Sequence, residues 1–329
     1  MEALMELQVV NREKVMGLSG AQSDLKSPFI EANTKEVTLN HLKRDCTIPV
    51  FAKDNEVTIS HYEFIESMQH CVGTLFKTHL STAPEIRVSH MIKGRTPEAI
   101  RKSVNELLPS EKTIYYERCA FIIEIPSIKE TVAGNSLSLT VGGVRAYNQE
   151  NLYSKKTIEK FKVFIGFKNS VCTNLCISTD GFSDELRVGS ILELQEKMYA
   201  LFSSYNIKNH SEKFKALENQ FLTERQFAQL LGKARLYNHL PNKIKDSLPL
   251  LSFNDGQLNA VARDYYEDES FCRDKEGNIN LWNVYNLFTG ANKSSYIDSF
   301  LDRNVNAYTF TNSVSEALKG NSNYHWFLS

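Results

Sequence analysis

No imbalance of charge marks this chain. Lys and Arg number 38 against 39 Asp and Glu, a formal net charge of −1. No global field therefore draws it to nucleic acid or to a membrane surface, and any such binding has to come from local patches. No apolar run approaches the roughly 20 residues of a membrane-spanning helix. The first residues lack a basic leader, and Glu6 interrupts the opening apolar run, so no secretory signal is expected. A soluble, cytoplasmic protein with no membrane partner is predicted. Cysteine is sparse and scattered: Cys46, Cys71, Cys119, Cys172, Cys176 and Cys272 sit mostly in apolar runs. Buried free thiols in a reducing compartment fit that pattern. The eight histidines contain no pair at helical ligand spacing. A Walker-type lysine loop, G-x-G-x-x-G, G-x-S-x-G and H-E-x-x-H are all missing, which removes the common sequence signatures of nucleotide, hydrolase and zinc chemistry. There is no internal repeat and no low-complexity segment.

What is present is a core. Hydrophobic residues make up 42% of 329, enough for one large domain or two modest ones. The central stretch is the most strand-like. Leu137, Leu139 and Val141 alternate with Ser136, Ser138 and Thr140, one face of a strand looking inward. After Gly142-Gly143 the apolar positions become Val144 and Ala146, so the parity flips by one. A bulge or a two-residue hairpin turn is expected there. Phe161, Val163, Ile165 and Phe167 share a face of the next strand, opposite Lys162, Phe164, Gly166 and Lys168. Val171 to Ile177 reads as a further strand, and Thr179-Asp-Gly181 as a turn. On a strand, Cys172 and Cys176 lie roughly 13 Å apart. That is too far for a disulfide or a shared metal, so neither is expected.

The strings Gly142-Gly-Val-Arg-Ala-Tyr147, Ile165-Gly-Phe-Lys-Asn169 and Val171-Cys-Thr-Asn-Leu175 resemble an uncharacterised bacterial family, classed as a domain of unknown function and linked with plasmids, phages and conjugative transposons. The Val-Cys-x-Asn core at Val171 to Asn174 is also similar to a broader phage- or plasmid-like group. Pro49-Val-Phe-Ala-Lys-Asp-Asn-Glu56, Val88-Ser-His-Met-Ile-Lys-Gly-Arg95, Tyr115-Tyr-Glu-Arg118 and Leu281-Trp-Asn-Val-Tyr-Asn286 extend the likeness over nearly the whole chain. The resemblance implies a mobile-element setting. It supplies no catalytic residues, and none are carried over.

Away from the centre, Met1 to about Thr38 holds a short helix at most, and Ala21 to Lys35 reads as a loose lead-in. Thr47 to Phe51 reads as an edge strand bearing Pro49, and Val57 to Ile59 returns the chain. Ser60 and Glu63 form a capping box for a helix with Phe64, Met68, Val72, Leu75 and Phe76 on one side. Ile86 to Val88 is a short strand. Thr96-Pro97 predicts a helix that buries Ile100, Val104 and Leu107 and stops at Pro109. Arg118 to Ile125 alternates as a strand halted by Pro126. Beyond Gly181 helices dominate, starting at Ser190, around Phe214, at Thr223 with Gln226, at Asp255, at Leu281, and at Ser313 with Glu316 before Gly320. The fold class is α+β. A mixed part with a largely antiparallel sheet, 1–187, precedes a mostly helical part, 188–329. No linker is seen between them, so the two are expected to pack as one body.

Local positive charge supplies the functional candidates. Lys93, Arg95, Arg101 and Lys102 lie together. Arg145, Lys155, Lys156, Lys160, Lys162 and Lys168 lie in the central stretch with Tyr147 and Tyr153. Cations that neutralise phosphates, interleaved with rings that stack bases, are what single-stranded nucleic acid requires. The competing reading is an ordinary solvated face, helped by Glu150 and Glu159. Asp54 and Glu56, beside Lys53, are a weaker candidate for a metal-assisted phosphodiester site, because turns favour Asp for conformational reasons alone. Thr223 to Gly232 has the look of the first half of a helix-turn-helix, but the next residues do not supply a recognition helix, and a plain amphipathic helix is the better reading. Asp274-Lys-Glu-Gly-Asn278 places its glycine at the fourth position, not the sixth, so it is a turn and not a calcium loop. The expectation is a non-enzymatic binder of single-stranded nucleic acid through Lys93, Arg95, Arg145, Tyr147, Tyr153, Lys155, Lys156, Lys160 and Lys162, with no cofactor and no metal. The alternatives are a metal-dependent enzyme acting on nucleic acid, and a module that docks a host or element protein.

Overall fold

The computed structural model describes residues 27–46, 58–99, 101–149 and 158–329. In chain order the first part holds β1 (Lys35–Glu36), α1 (Leu39–Arg44), α2 (His61–Leu75), β2 (Glu85–Val88), β3 (Met91–Arg95), β4 (Lys112–Tyr116), β5 (Arg118–Val132), β6 (Asn135–Ala146), β7 (Glu159–Asn169), β8 (Leu175–Cys176) and β9 (Phe182–Val188). The second part holds α3 (Ile191–Ser204), α4 (Ile207–Glu218), β10 (Phe221–Leu222), α5 (Glu224–Tyr237), α6 (Asn242–Lys245), α7 (Asp255–Glu267), β11 (Ile279–Asn280), α8 (Leu281–Asn292) and α9 (Ile297–Leu318). The main sheet runs β1-β2-β5-β6-β7-β8, with β9 also paired to β7, and every pairing is antiparallel. The fold is α+β, as the sequence predicts. No helix among the described residues is long and apolar enough to cross a membrane.

The parity flip at Gly142-Gly143 is neither a bulge nor a turn. Register with β5 runs unbroken through Val141, Gly142, Gly143 and Val144. The sheet is covered on both faces, so both parities are apolar in turn. Leu137, Leu139 and Val141 face the large core with Phe64 and Met68, while Val144 joins Ala120, Ile122, Phe164, Ile297 and Phe300 on the other side. The glycines are there because the neighbours come too close for a side chain. A Cβ at Gly143 would lie 2.5 Å from Phe64 Cζ and 2.7 Å from the Lys162 carbonyl oxygen. The bulge sits instead in β5, between Ile125 and Lys129, where Pro126 cannot donate to the ladder; the strand resumes and continues to Val132. Ala133 and Gly134, both at positive φ (48° and 76°), close the β5–β6 hairpin as a two-residue turn.

Capping residues place the helices. Ser60 Oγ accepts from Glu63 N–H at 3.1 Å, and Glu63 returns the bond to Ser60 N–H at 2.7 Å. The same box holds α5 through Thr223 and Gln226, and α7 begins one residue earlier than expected, capped by Asn254. The last helix is longer than its sequence signals suggest. α9 runs straight through Ser313, whose hydroxyl donates back to the Thr309 carbonyl, and ends where Gly320 turns at φ 95°. The helix expected from Thr96 does not form. Three 3-10 turns, Pro97–Ala99, Val104–Glu106 and Pro109–Glu111, take its place, and Val104 is 69% exposed. A helix whose Val104 face finds no cover gains too little from packing to repay the entropy of a short helix. The expected lead-in also differs: Phe29 and Ile30 are buried against the second face of the sheet. One apolar cluster joins Phe64, Val141 and Phe167 to Phe214, Trp282 and Phe288 from the helical part. The strand expected at Thr47 to Phe51 lies outside the described residues.

Candidate nucleic-acid interface

β3 and β4 form a two-stranded antiparallel ribbon separate from the main sheet. Arg95 stands opposite Lys112, Lys93 opposite Ile114, and Met91 opposite Tyr116. Cross-strand partners share a face and alternate residues share a side. Met91, Lys93, Arg95, Lys112, Ile114 and Tyr116 therefore make one surface. Lys93 and Lys112 are exposed; Arg95 is half-buried and donates to the Lys102 carbonyl. Like charges directly opposite one another cost stability in a ladder, yet none of these three cations forms an ion pair with a described residue. At the root of the ribbon, Lys35 Nζ lies 4.9 Å above the Tyr116 ring, whose hydroxyl lies 3.0 Å from His41 Nε2. The cations thus extend along one face from Arg95 and Lys112 past Lys93 to Lys35.

The other candidates lie elsewhere. Arg145 and Tyr147, expected on a binding face, are in the core. The Arg145 guanidinium donates to Glu159 at 2.7 Å and sits 4.4 Å from the Phe161 ring centre and 4.6 Å from that of Tyr147. Both oxygens of Glu159 also accept from Ile59 N–H at 3.1 Å. His61 stacks on Tyr147 at 4.3 Å and donates from Nε2 to the Tyr116 carbonyl, 2.8 Å away. Burial, with Arg145 adding to it, lowers the His61 pKa to about 3, so the ring is neutral. Alternation alone could not show this, because a strand covered on both faces buries its cation side too.

Lys160 pairs with Glu185, and Lys162 pairs with Asp302 and, at 3.1 Å, with Asp184. Burial works against the Lys162 charge, but the two aspartates outweigh it and its pKa is raised. Both lysines line a cavity of about 230 Å³ together with Gln149, Asp184 and Glu185. Its charges are balanced, which makes it a poor seat for phosphate. Tyr153, Lys155, Lys156, Asp54 and Glu56 lie outside the described residues. Of the described sequence candidates, only Lys93 and Arg95 are brought together on an exposed basic face. Lys112 and Lys35 complete that face and were missed, since nothing in the 16 residues between β3 and β4 signals that the two strands meet.

The Val-Cys-Thr-Asn core is a turn, not a strand. Asn169 accepts at its carbonyl from Thr173 N–H (3.0 Å) and at Oδ1 from Val171 N–H (2.9 Å), and Thr173 takes φ 59°. Lys293 Nζ reaches into it, donating to the Cys172 carbonyl and to Thr173 Oγ1 at 3.0 Å, while Asn174 Nδ2 donates to the Asn286 carbonyl at 3.0 Å. These residues tie β7 and β8 to α8. All six cysteines are free, and burial pushes the Cys172 thiol up to about 11. Among the described residues, no group of three or more His, Cys, Asp or Glu converges as metal ligands. α5 runs unbroken through Gly232, and no helix-turn-helix is formed there.

A family model described as "Domain of unknown function, B. Theta Gene description" matches residues 10–328. No curated protein and no solved structure matches the chain.

Proposed function

Because the chain belongs to the DUF3871 family, whose description assigns no activity, we infer function from its own side chains and propose a non-enzymatic binder of single-stranded nucleic acid that uses the β3–β4 ribbon. The observation that carries this reading is the row of Lys93, Arg95 and Lys112 on one ribbon face without a carboxylate partner among the described residues. Unneutralised cations set side by side lower stability, and a polyanion removes that cost. The cytoplasmic, mobile-element setting rests on the resemblance carried by Gly142 to Tyr147 and Val171 to Leu175. Lys155, Lys156 and Tyr153 stay in the proposal as further contacts. Arg145, Tyr147, Lys160 and Lys162 leave it, because their charges are neutralised or their rings are buried.

A titration of labelled single- and double-stranded oligonucleotides, read by fluorescence polarisation at two salt concentrations, tests it. Binding that weakens with salt, and that Lys93→Glu with Lys112→Glu weakens further, is expected. Absence of binding at low salt sinks the reading.

The second reading, a module that docks a protein, is favoured by one feature of the helical part. Leu236, Ile244 and Leu250 are exposed around the α5–α6 corner, beside Arg235 and Lys243. Exposed apolar side chains mark a contact surface where they form one patch. Loss of a partner on Leu236→Ser with Ile244→Ser, with oligonucleotide binding absent, is the result that would replace the first reading by this one.

A further inference from the structure

The root of the ribbon opens onto a cavity of about 210 Å³. Its walls include Asn33, Thr34, His90, Arg118 and Tyr296. His90 immediately precedes β3 and Arg118 follows β4 by two residues, so a strand held along Lys112, Lys93 and Lys35 is led to its mouth. Backbone bonds fix the rim: Ser89 N–H donates to the Arg118 carbonyl at 3.0 Å, and Arg118 N–H donates to Ser89 Oγ at 3.1 Å.

Three properties define what fits. The volume is below the roughly 300–1,000 Å³ of pockets for drug-sized ligands, so one ring system is the natural size. The charge is not positive, since the one guanidinium, that of Arg118, lies 3.2 Å from Glu117 and 3.3 Å from Asp298. A phosphate gains little there, whereas a neutral heteroaromatic edge still meets donors and acceptors from Arg118, His90, Asn33 and Thr34. The Tyr296 side chain is 67% exposed. It caps α9 without a side-chain bond and stacks on no described ring, so it has no visible structural task. An aromatic face beside planar donors is how single-stranded bases are held once unstacked.

We propose that this cavity takes one unstacked nucleobase of the strand that the ribbon binds, with Tyr296 as the stacking platform. The inference rests on the nucleic-acid reading above and adds a base contact to its phosphate contacts.

The test uses the full chain and two labelled single strands of equal length. One carries bases; the other is abasic throughout and keeps only the sugar-phosphate backbone. Tyr296→Ala is expected to weaken the base-bearing strand about tenfold, to leave the abasic strand unchanged, and to be rescued by Tyr296→Phe. Lys93→Glu with Lys112→Glu is expected to weaken both strands alike. If Tyr296→Ala leaves the two strands unaffected, or weakens them equally, the base pocket is overturned while the ribbon reading stands on its own variants. If the unaltered protein binds neither strand at low salt, both fall together.

Discussion

Arg145 and Glu159 face each other across adjacent strand ends of the core, 2.7 Å apart, with the guanidinium lying against the rings of Phe161 and Tyr147. A buried pair of this kind adds little net stability over an apolar pair, but breaking it strands a charge. Arg145→Ala is expected to lower unfolding free energy by about 3–5 kcal/mol. Denaturant titration checks the loss. Were Arg145 a phosphate contact instead, the variant would keep its stability and lose oligonucleotide affinity.

The buried histidines set the acid sensitivity. Burial lowers the pKa of His61 to about 3, with Arg145 adding to it, and lowers that of His210 to about 3 as well, with Lys213 adding. Both values lie below the ordinary 6.5, so the unfolded chain takes up more protons than the folded one between those limits. Stability is therefore full above about pH 6.5 and falls as pH drops toward 3, by roughly 1.4 kcal/mol per pH unit for each ring. Denaturant midpoints measured from neutral pH down to about pH 5 should trace this slope. Replacing His210 with Gln should shrink it by about half, and an unchanged slope would remove the histidines as its cause.

At Gly143 a helix meets the sheet with no room for a side chain. An added methyl would press on both Phe64 Cζ and the Lys162 carbonyl oxygen. Gly143→Ala is expected to destabilise by about 1–3 kcal/mol. Pairing it with Phe64→Leu should not restore stability, because the backbone oxygen remains in the way. Full rescue in a thermal melt would show that only the ring was in conflict.

The loop between β3 and β4 makes the opposite prediction. Val104 and Leu108 are exposed despite their apolar side chains. Val104→Ser should change stability by no more than about 0.5 kcal/mol. A larger loss would mean that the expected helix face is buried after all.

On the ribbon, each lysine should count as a separate phosphate contact. Lys93→Ala and Lys112→Ala should each lower the salt slope of oligonucleotide binding by about one. Slopes unchanged from the unaltered protein would place the contacts elsewhere, with Lys155 and Lys156 the next pair to test.

The sequence was most readable where a local signal suffices. Ser60 with Glu63 and Thr223 with Gln226 announce helix starts, because the cap bonds are made within four residues. It was least readable where the partner is remote. Val144 looks like a parity error until Phe300, more than a hundred residues on, is seen to cover its face. Lys112 looks like a loop residue until it is found across from Arg95. Thr96 to Leu107 shows the reverse failure: its helical period is sound, but Val104, expected on the buried face, stands in solvent. The basic stretch around Arg145 misled for a related reason, since whether a cation is solvated or buried depends on the layer above the strand.

The double covering of the sheet also governs when the protein can finish folding. Phe29 and Ile30 come from one end of the described chain and Ile297, Phe300 and Leu301 from the other, and they meet over Ile122, Val144 and Phe164. During synthesis the strands emerge long before α9 does. Their second face stays open until the last helix leaves the ribosome, and exposed sheet surface of that kind invites aggregation. A nascent chain arrested before Ile297 should thus require a chaperone or precipitate, because the contacts that close this face join segments far apart in sequence.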